Sequence, residues 1–156
     1  MNQIEGKPVH FREDGLSISA YFGRNPVGRI KSIDNGDGTV LLSDVEVNER
    51  VEVRRGTLAR AIRRVLPDWG VVFPRQNGIG RGLLERFIRA CEHSGVVEIY
   101  GNVTPDADRD QPFLKGWYES FGFVVSPLDG RDECIPTKYK VIWRRRKENV
   151  LETQAG

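Results

Sequence analysis

The sequence predicts an α+β domain of the broad α/β class, a mixed and mostly antiparallel twisted sheet flanked by helices, on three observations. Three runs of alternating apolar residues succeed one another between Leu16 and Val47, separated by segments rich in Gly, Asn and Asp. An amphipathic helical run opens directly out of the glycine-rich Arg75-Gln76-Asn77-Gly78-Ile79-Gly80. A strand-like run, Val96 to Val103, follows that helix at once, and a strand, loop, helix, strand order brings one parallel pair into the sheet.

Composition bounds the rest. At 156 residues the chain fits one domain, read here as 1–147, with 148–156 a polar tail expected to fray. The 24 basic and 22 acidic residues leave a charge of only +2, which demands neither nucleic acid nor an anionic membrane as partner. No run approaches the roughly 18 apolar residues of a spanning helix, and the first residues lack the apolar core of a signal peptide. Cys91 and Cys134 match no metal-ligand spacing, and Cys91 falls on the apolar side of a helix, as a buried reduced thiol does. A cytoplasmic protein without metal is the expectation.

Leu16 to Phe22, Val27 to Ile33 and Thr39 to Val47 read as an antiparallel meander, reversing at Gly23-Arg24-Asn25-Pro26 and Asp34-Asn35-Gly36-Asp37-Gly38. Strict alternation in the third strand would put Val40, Leu42, Asp44 and Glu46 on one face and Leu41, Ser43, Val45 and Val47 on the other. Thr57 to Leu66 reads as a short basic helix, with Leu58, Ile62 and Val65 inward, Arg60, Arg63 and Arg64 outward, and a stop before Pro67. Val71 to Phe73 reads as a brief strand, expected to pair in parallel with Val96 to Val103. The helix from Gly80 to Ser94 carries Leu83, Leu84, Phe87, Ile88 and Cys91 as its apolar stripe and stops at Gly95. Thr104 to Asp110 reads as an acidic loop and Pro112 to Phe121 as a helix ended by Gly122. Phe123 to Val125 and Lys138 to Trp143 read as strands.

A glycine-rich loop opening into a helix presents backbone N–H groups that no earlier turn satisfies, with the positive end of the helix dipole behind them, so the loop is an anion site. The P-loop pattern requires Lys and then Ser or Thr after its last glycine, whereas Arg81-Gly82 follows Gly80. The dinucleotide fingerprint requires a glycine at its sixth position, where Leu83 stands when the count starts at Gly78. Both readings fail.

Arg75-x-x-Gly78-x-Gly80 resembles instead the acetyl-CoA pyrophosphate loop of the GCN5-related N-acetyltransferases, the GNAT superfamily. Gly116-Trp117-Tyr118-Glu119-Ser120-Phe121-Gly122-Phe123 resembles that family's second signature, with a Tyr on a helix four residues before Gly-Phe. The two in order are far more specific than either alone, and the resemblance covers about Thr39 to Val125.

The resemblance implies an N-acetyltransferase moving an acetyl group from acetyl-CoA to a primary amine by direct attack in a ternary complex. It implies that Arg75, Gln76, Asn77, Gly78, Ile79, Gly80 and Arg81 surround the diphosphate. It also implies that the strand from Leu41 to Val47 splays from its parallel neighbour, where main-chain groups at Val45 and Val47 pair with the pantetheine arm. Tyr118 occupies the position of the general acid that protonates the departing thiolate, and Glu46, then Asp44, are the candidates for general base. Gln111 stands where the family often has an asparagine. The acceptor is a small-molecule or peptide amine, and exposed edges of such sheets often pair, which makes a homodimer an expectation.

Two departures from the family pattern stand out. The N-terminus is short for the helices that usually build the acceptor pocket, and the basic segment from Asn48 to Gly70 is inserted before the cofactor loop. Asp106, Asp108 and Asp110 begin like a calcium loop, but Gln111 and Trp117 stand where Gly and Glu are required. His10 and His93 are poor catalytic candidates. Two rival readings are a nucleic-acid or partner-binding module using Arg54, Arg55, Arg60, Arg63, Arg64 and Arg144 to Lys147, and a degenerate CoA-binding regulatory domain.

Overall fold

Tight reversals at Gly15 (φ 58°) and Gly23 (φ 61°), where left-handed backbone favours glycine, fold the first part of the chain into antiparallel hairpins. The computed structural model of the protein describes residues 2–126, 128 and 136–147; Cys134 and the tail expected at 148–156 lie outside them. A two-residue pair, β1 (Gln3–Ile4) and β2 (Lys7–Pro8), precedes β3 (His10–Asp14), β4 (Ser17–Phe22), β5 (Asn25–Asp34) and β6 (Thr39–Val47). The inserted segment supplies β7 (Val51–Glu52), α1 (Thr57–Arg63) and β8 (Val71–Val72). Then come α2 (Ile79–His93), β9 (Glu98–Val103), α3 (Pro105–Asp110), α4 (Leu114–Glu119), β10 (Val124–Ser126) and β11 (Tyr139–Arg144).

The main sheet has seven strands in the order β10-β11-β9-β6-β5-β4-β3, and every pairing in it is antiparallel except β6 with β9. The α2 helix lies across β4, β5 and β6. Its stripe of Leu83, Leu84, Phe87 and Cys91 is fully buried, which withdraws from water most of the apolar area that drives this packing. Helix and sheet come close at Gly28, where a Cβ would lie 3.1 Å from Leu83 Cδ1 and 2.8 Å from the Glu46 carbonyl oxygen of the next strand.

Several expectations are corrected. The parallel partner of β9 is β6, while Val71–Val72 pairs antiparallel with Val51–Glu52 in a separate two-stranded sheet, so the inserted segment is an excursion between β6 and α2. Thr104 to Asp110 is not a loop, because Thr104 Oγ1 accepts from the Ala107 N–H at 3.1 Å and Pro105 presets the first turn of α3. The following helix starts at Leu114 rather than Pro112, since Gln111 to Phe113 form the turn between α3 and α4.

The apolar stripe assigned to the inserted helix holds only in part: Ile62 is half-buried and Arg60 and Arg64 are exposed, as expected, but the other positions depart. Leu58 is 74 % exposed and Val65 82 %, while Ala59 is buried. Arg63, expected outward, is turned inward: its guanidinium donates to the Arg54 carbonyl at 2.8 Å and reaches Glu52 Oε2 at 3.1 Å. Helical periodicity therefore misreads part of this seven-residue helix, which guanidinium hydrogen bonds tie to the preceding chain.

Candidate functional site

The site is built on a split in the sheet. Parallel pairing runs from Thr39 with Glu98 to Leu41 with Tyr100 and ends there, after which β6 continues along β5 and β9 along β11. The cause lies in β6: Lys31 faces Asp44 and Ser32 faces Leu42, so Ser43 is an extra residue in its strand. Such a bulge bends the strand and increases its twist, turning β6 away from β9. It also shifts the alternation, correcting the faces expected for β6. Val45 pairs with Ile30 and Val47 with Gly28 on the α2 side, whereas Asp44 and Glu46 pair with Lys31 and Arg29 on the opposite face.

Between the diverging strands lies a cavity of about 770 Å³, reached by Ser43 to Val45 from one strand and Gly101 to Val103 from the other. The facing main-chain edges of β6 and β9 have no strand partner there.

One end of the cavity meets the loop before α2. Gly78 caps the helix with left-handed backbone (φ 70°), and no side chain caps the first turn. The N–H groups from Gln76 to Arg81 reach no protein acceptor among the described residues. The loop is held from its outer side by Asn77, whose Nδ2 donates to the carbonyls of Phe73 at 2.9 Å and Arg75 at 3.1 Å. Asn2 donates to the Gly78 carbonyl. A Cβ on Gly80 would lie 3.6 Å from both Trp117 and Val47, an ordinary contact, so packing alone does not demand glycine there. Six successive N–H groups at a helix N-terminus, five of them, all but that of Asn77, on residues that line the cavity, fit a diphosphate.

The other wall comes from α4. Trp117 and Tyr118 pack edge to face at 5.0 Å between ring centroids, Tyr118 meets Phe123 at 5.4 Å, and Arg81 stacks over Phe121 at 4.8 Å, tying α4 to the first turn of α2. Burial, then the Asp44 charge, then Tyr139 push the Tyr118 phenol up to about 12. Partial desolvation raises the Asp44 carboxyl from its ordinary value, and the neighbouring Glu46 charge adds to it. Glu46 is held in the opposite direction by Lys31 and by Arg29, whose Nε lies 2.7 Å from Oε2.

Of the residues singled out from the sequence, Asp44, Val45, Val47, Arg75, Gln76 and Gly78 reach this cavity, as do Ile79, Gly80, Arg81, Gln111 and Tyr118. Glu46 is not on its wall, and Asn77 braces the loop instead of facing it. Arg75 is already engaged, donating to the Val47 carbonyl at 3.3 Å and pairing with Glu49. Sequence reasoning missed Asn102 and Trp117 as wall residues. Asn102 was hidden because polar residues in a β run read as solvent-facing; Trp117 was quoted only as part of a signature.

No family model matches the chain, and no curated protein matches it. Solved structures do match at the level of the fold. An acetyltransferase of the GNAT family from Staphylococcus aureus superposes with a TM-score of 0.56 at 16% identity, over 83% of this chain and 68% of that one. Ard1 from Thermoplasma volcanium gives 0.53 at 16% identity, over 85% and 72%. The chain has the GNAT fold. Diaminobutyrate acetyltransferase EctA from Paenibacillus lautus, solved with L-2,4-diaminobutyric acid and coenzyme A, gives 0.51 at 15% identity over 85% and 74%. In GNAT terms, the split between β6 and β9 is the splay that the two sequence signatures implied, with β6 as its long strand. Among the described residues no group of His, Cys, Asp and Glu is placed to hold a metal ion, and no helix is long and apolar enough to cross a membrane.

Proposed function

We propose that the protein is an N-acetyltransferase that uses acetyl-CoA as cosubstrate and a primary amine as acceptor. The observation that carries this reading is the single cavity joining the uncapped N–H groups before α2 to Tyr118 and Asp44. The N–H groups from Gln76 to Arg81 hold the diphosphate, and the unpaired edges of β6 at Val45 and Val47 and of β9 hold the amide-bearing arm. The bound cosubstrate supplies an activated acetyl thioester. Asp44, whose raised pKa makes it a better base than an unperturbed carboxylate, takes a proton from the attacking amine, directly or through water. Tyr118 gives its proton to the sulfur as the C–S bond breaks and the C–N bond forms, and is reprotonated from solvent while Asp44 releases its proton. Glu46, engaged by Lys31 and Arg29, serves to tune Asp44 and is not the base.

The structure of EctA with a diamine substrate and coenzyme A supports an amine acceptor and a CoA cosubstrate. Thermal melting with acetyl-CoA tests the reading: stabilisation by RT ln(1 + [L]/Kd), about 2.7 kcal/mol at a hundredfold excess over Kd, is expected. No shift at millimolar acetyl-CoA sinks it. A shift without CoA release across a panel of amines leaves a CoA-binding regulatory domain in its place.

A further inference from the structure

The excursion between β6 and α2 carries the positive excess of the chain. Residues 48–70 hold six arginines against three acidic residues, a net +3, while the remainder of the chain comes to −1. Four of the six arginines are engaged within the excursion. Arg63 donates to the Arg54 carbonyl and reaches Glu52, Arg50 donates to the Pro67 carbonyl at 2.8 Å, Arg55 donates to the Glu52 carbonyl at 3.3 Å, and Arg54 stacks over Trp69 at 5.1 Å. With Val51 and Val72 buried in the main core, these contacts fix how α1 is presented. The exposed guanidinium groups of Arg60 and Arg64, one helical turn apart, have no partner among the described residues.

An apolar stripe runs beside them. Leu58, Ala61 and Val65 follow one another at steps of three and four residues and are all exposed. The turn continues past Arg63, because the Val65 and Leu66 N–H groups both donate to the Ile62 carbonyl. Leu58, Val65 and Leu66 are each more than half exposed, whereas Ala59 on the inner side is buried. Apolar side chains scattered singly over a surface need no explanation, but three large ones within nine residues, edged by free arginines, form a patch with a polar rim. No residue from 48 to 73 lines the cavity, so the patch is separate from the acetyl-transfer site.

We infer that the outer face of α1 docks an acidic amphipathic helix of another polypeptide, whose apolar stripe lies along Leu58, Ala61 and Val65 and whose carboxylates meet Arg60 and Arg64. The pattern selects this occupant. Small Ala61 in the middle of the stripe lets a second helix approach closely, and an apolar stripe beside a charged one is how one helix specifies another. A bilayer surface calls for cations on both flanks of the apolar stripe, whereas Arg60 and Arg64 stand on one side of it. Nucleic acid would use the arginines and leave the aliphatic stripe in water.

Fluorescence anisotropy on the whole chain tests this, the probe being a labelled peptide of about 20 residues with leucine at heptad positions a and d and glutamate at most others. Saturable binding is expected, about tenfold or more tighter than that of a scrambled peptide of the same composition. Leu58→Ser combined with Val65→Ser should weaken it about tenfold or more, and Arg60→Gln combined with Arg64→Gln should do the same while removing most of its salt dependence. Arg60→Glu with Arg64→Glu should turn the preference to the lysine counterpart of the peptide. All four positions are exposed, and unchanged melting curves establish that the variants fold. Equal binding of ordered and scrambled peptides, binding that the variants leave unaltered, or no binding overturns the inference. So does tighter, variant-sensitive binding to phosphatidylserine vesicles or to duplex DNA, which assigns the face to lipid or to nucleic acid. None of these outcomes bears on acetyl transfer, which stands or falls by the acetyl-CoA shift and CoA release.

Discussion

Asp44 and Glu46 stand two residues apart on the same face of β6 and titrate in opposite directions, Asp44 raised by partial desolvation and by its neighbour's charge, Glu46 lowered by hydrogen bonds from Lys31 and Arg29. Two carboxylates pushed apart in this way take different roles. With Asp44 as the base, the deprotonated form is active, so kcat/KM rises with pH through its elevated pKa. Asp44→Asn is expected to abolish that limb and lower the rate about a hundredfold to ten-thousandfold. Glu46→Gln is expected to keep the rate and move the limb to lower pH, because it removes a charge that raises Asp44 and releases two cations. A limb that moves upward in Glu46→Gln contradicts this coupling.

The same shift makes a stability prediction. The folded state binds the Asp44 proton more tightly than the unfolded chain does, so the contribution is fully present below the ordinary carboxylate value and is lost as pH rises through the raised one. Asp44→Asn should therefore melt higher than the unaltered protein at neutral pH, with the difference shrinking in acid. Melting curves at pH 4 and pH 7 decide it.

Tyr118, pushed up to about 12, keeps its proton across the neutral range and contributes no alkaline limb there. Tyr118→Phe is expected to slow turnover about a hundredfold or more while leaving the acetyl-CoA melting shift unchanged. Equal rates in the two proteins would take Tyr118 out of the acid role.

Two glycines separate folding from binding. Gly28→Ala drives a Cβ to 2.8 Å from the Glu46 carbonyl, a backbone atom that cannot swing aside, and is expected to cost about 1–3 kcal/mol, with roughly 2–4 °C of melting temperature lost per kcal/mol. Gly80→Leu enters a cavity where the Cβ itself has room, so the protein should still fold but lose its acetyl-CoA shift. A retained shift in Gly80→Leu would contradict the placement of the cosubstrate beside that residue.

Burial ranks the apolar positions. Phe87, fully buried under the sheet, is expected to cost about 3–5 kcal/mol as Phe87→Ala, whereas Leu58→Ser and Val65→Ser on α1 should stay within about 0.5 kcal/mol, as measured by denaturant unfolding.

The inserted segment shows why some of the chain was illegible. Its helix is too short for periodicity to discriminate, and the inward Arg63 and outward Leu58 follow from hydrogen bonds to Glu52 and the Arg54 carbonyl, which lie outside any helical window. Long α2 was legible because several turns of one apolar face admit a single orientation on the sheet.

By itself the sequence determined the meander from β4 to β6, the α2 stripe, and the two spaced signatures whose glycines and tyrosine belong together. These are local matters of turn chemistry, period and spacing, carried by neighbouring residues. Only the tertiary structure decided that β6 is the parallel partner of β9, that a bulge at Ser43 opens the cavity, and that Asp44, not Glu46, faces it. The reason is physical: one extra residue in a ladder reverses every later side chain, and whether it is extra depends on the strand opposite.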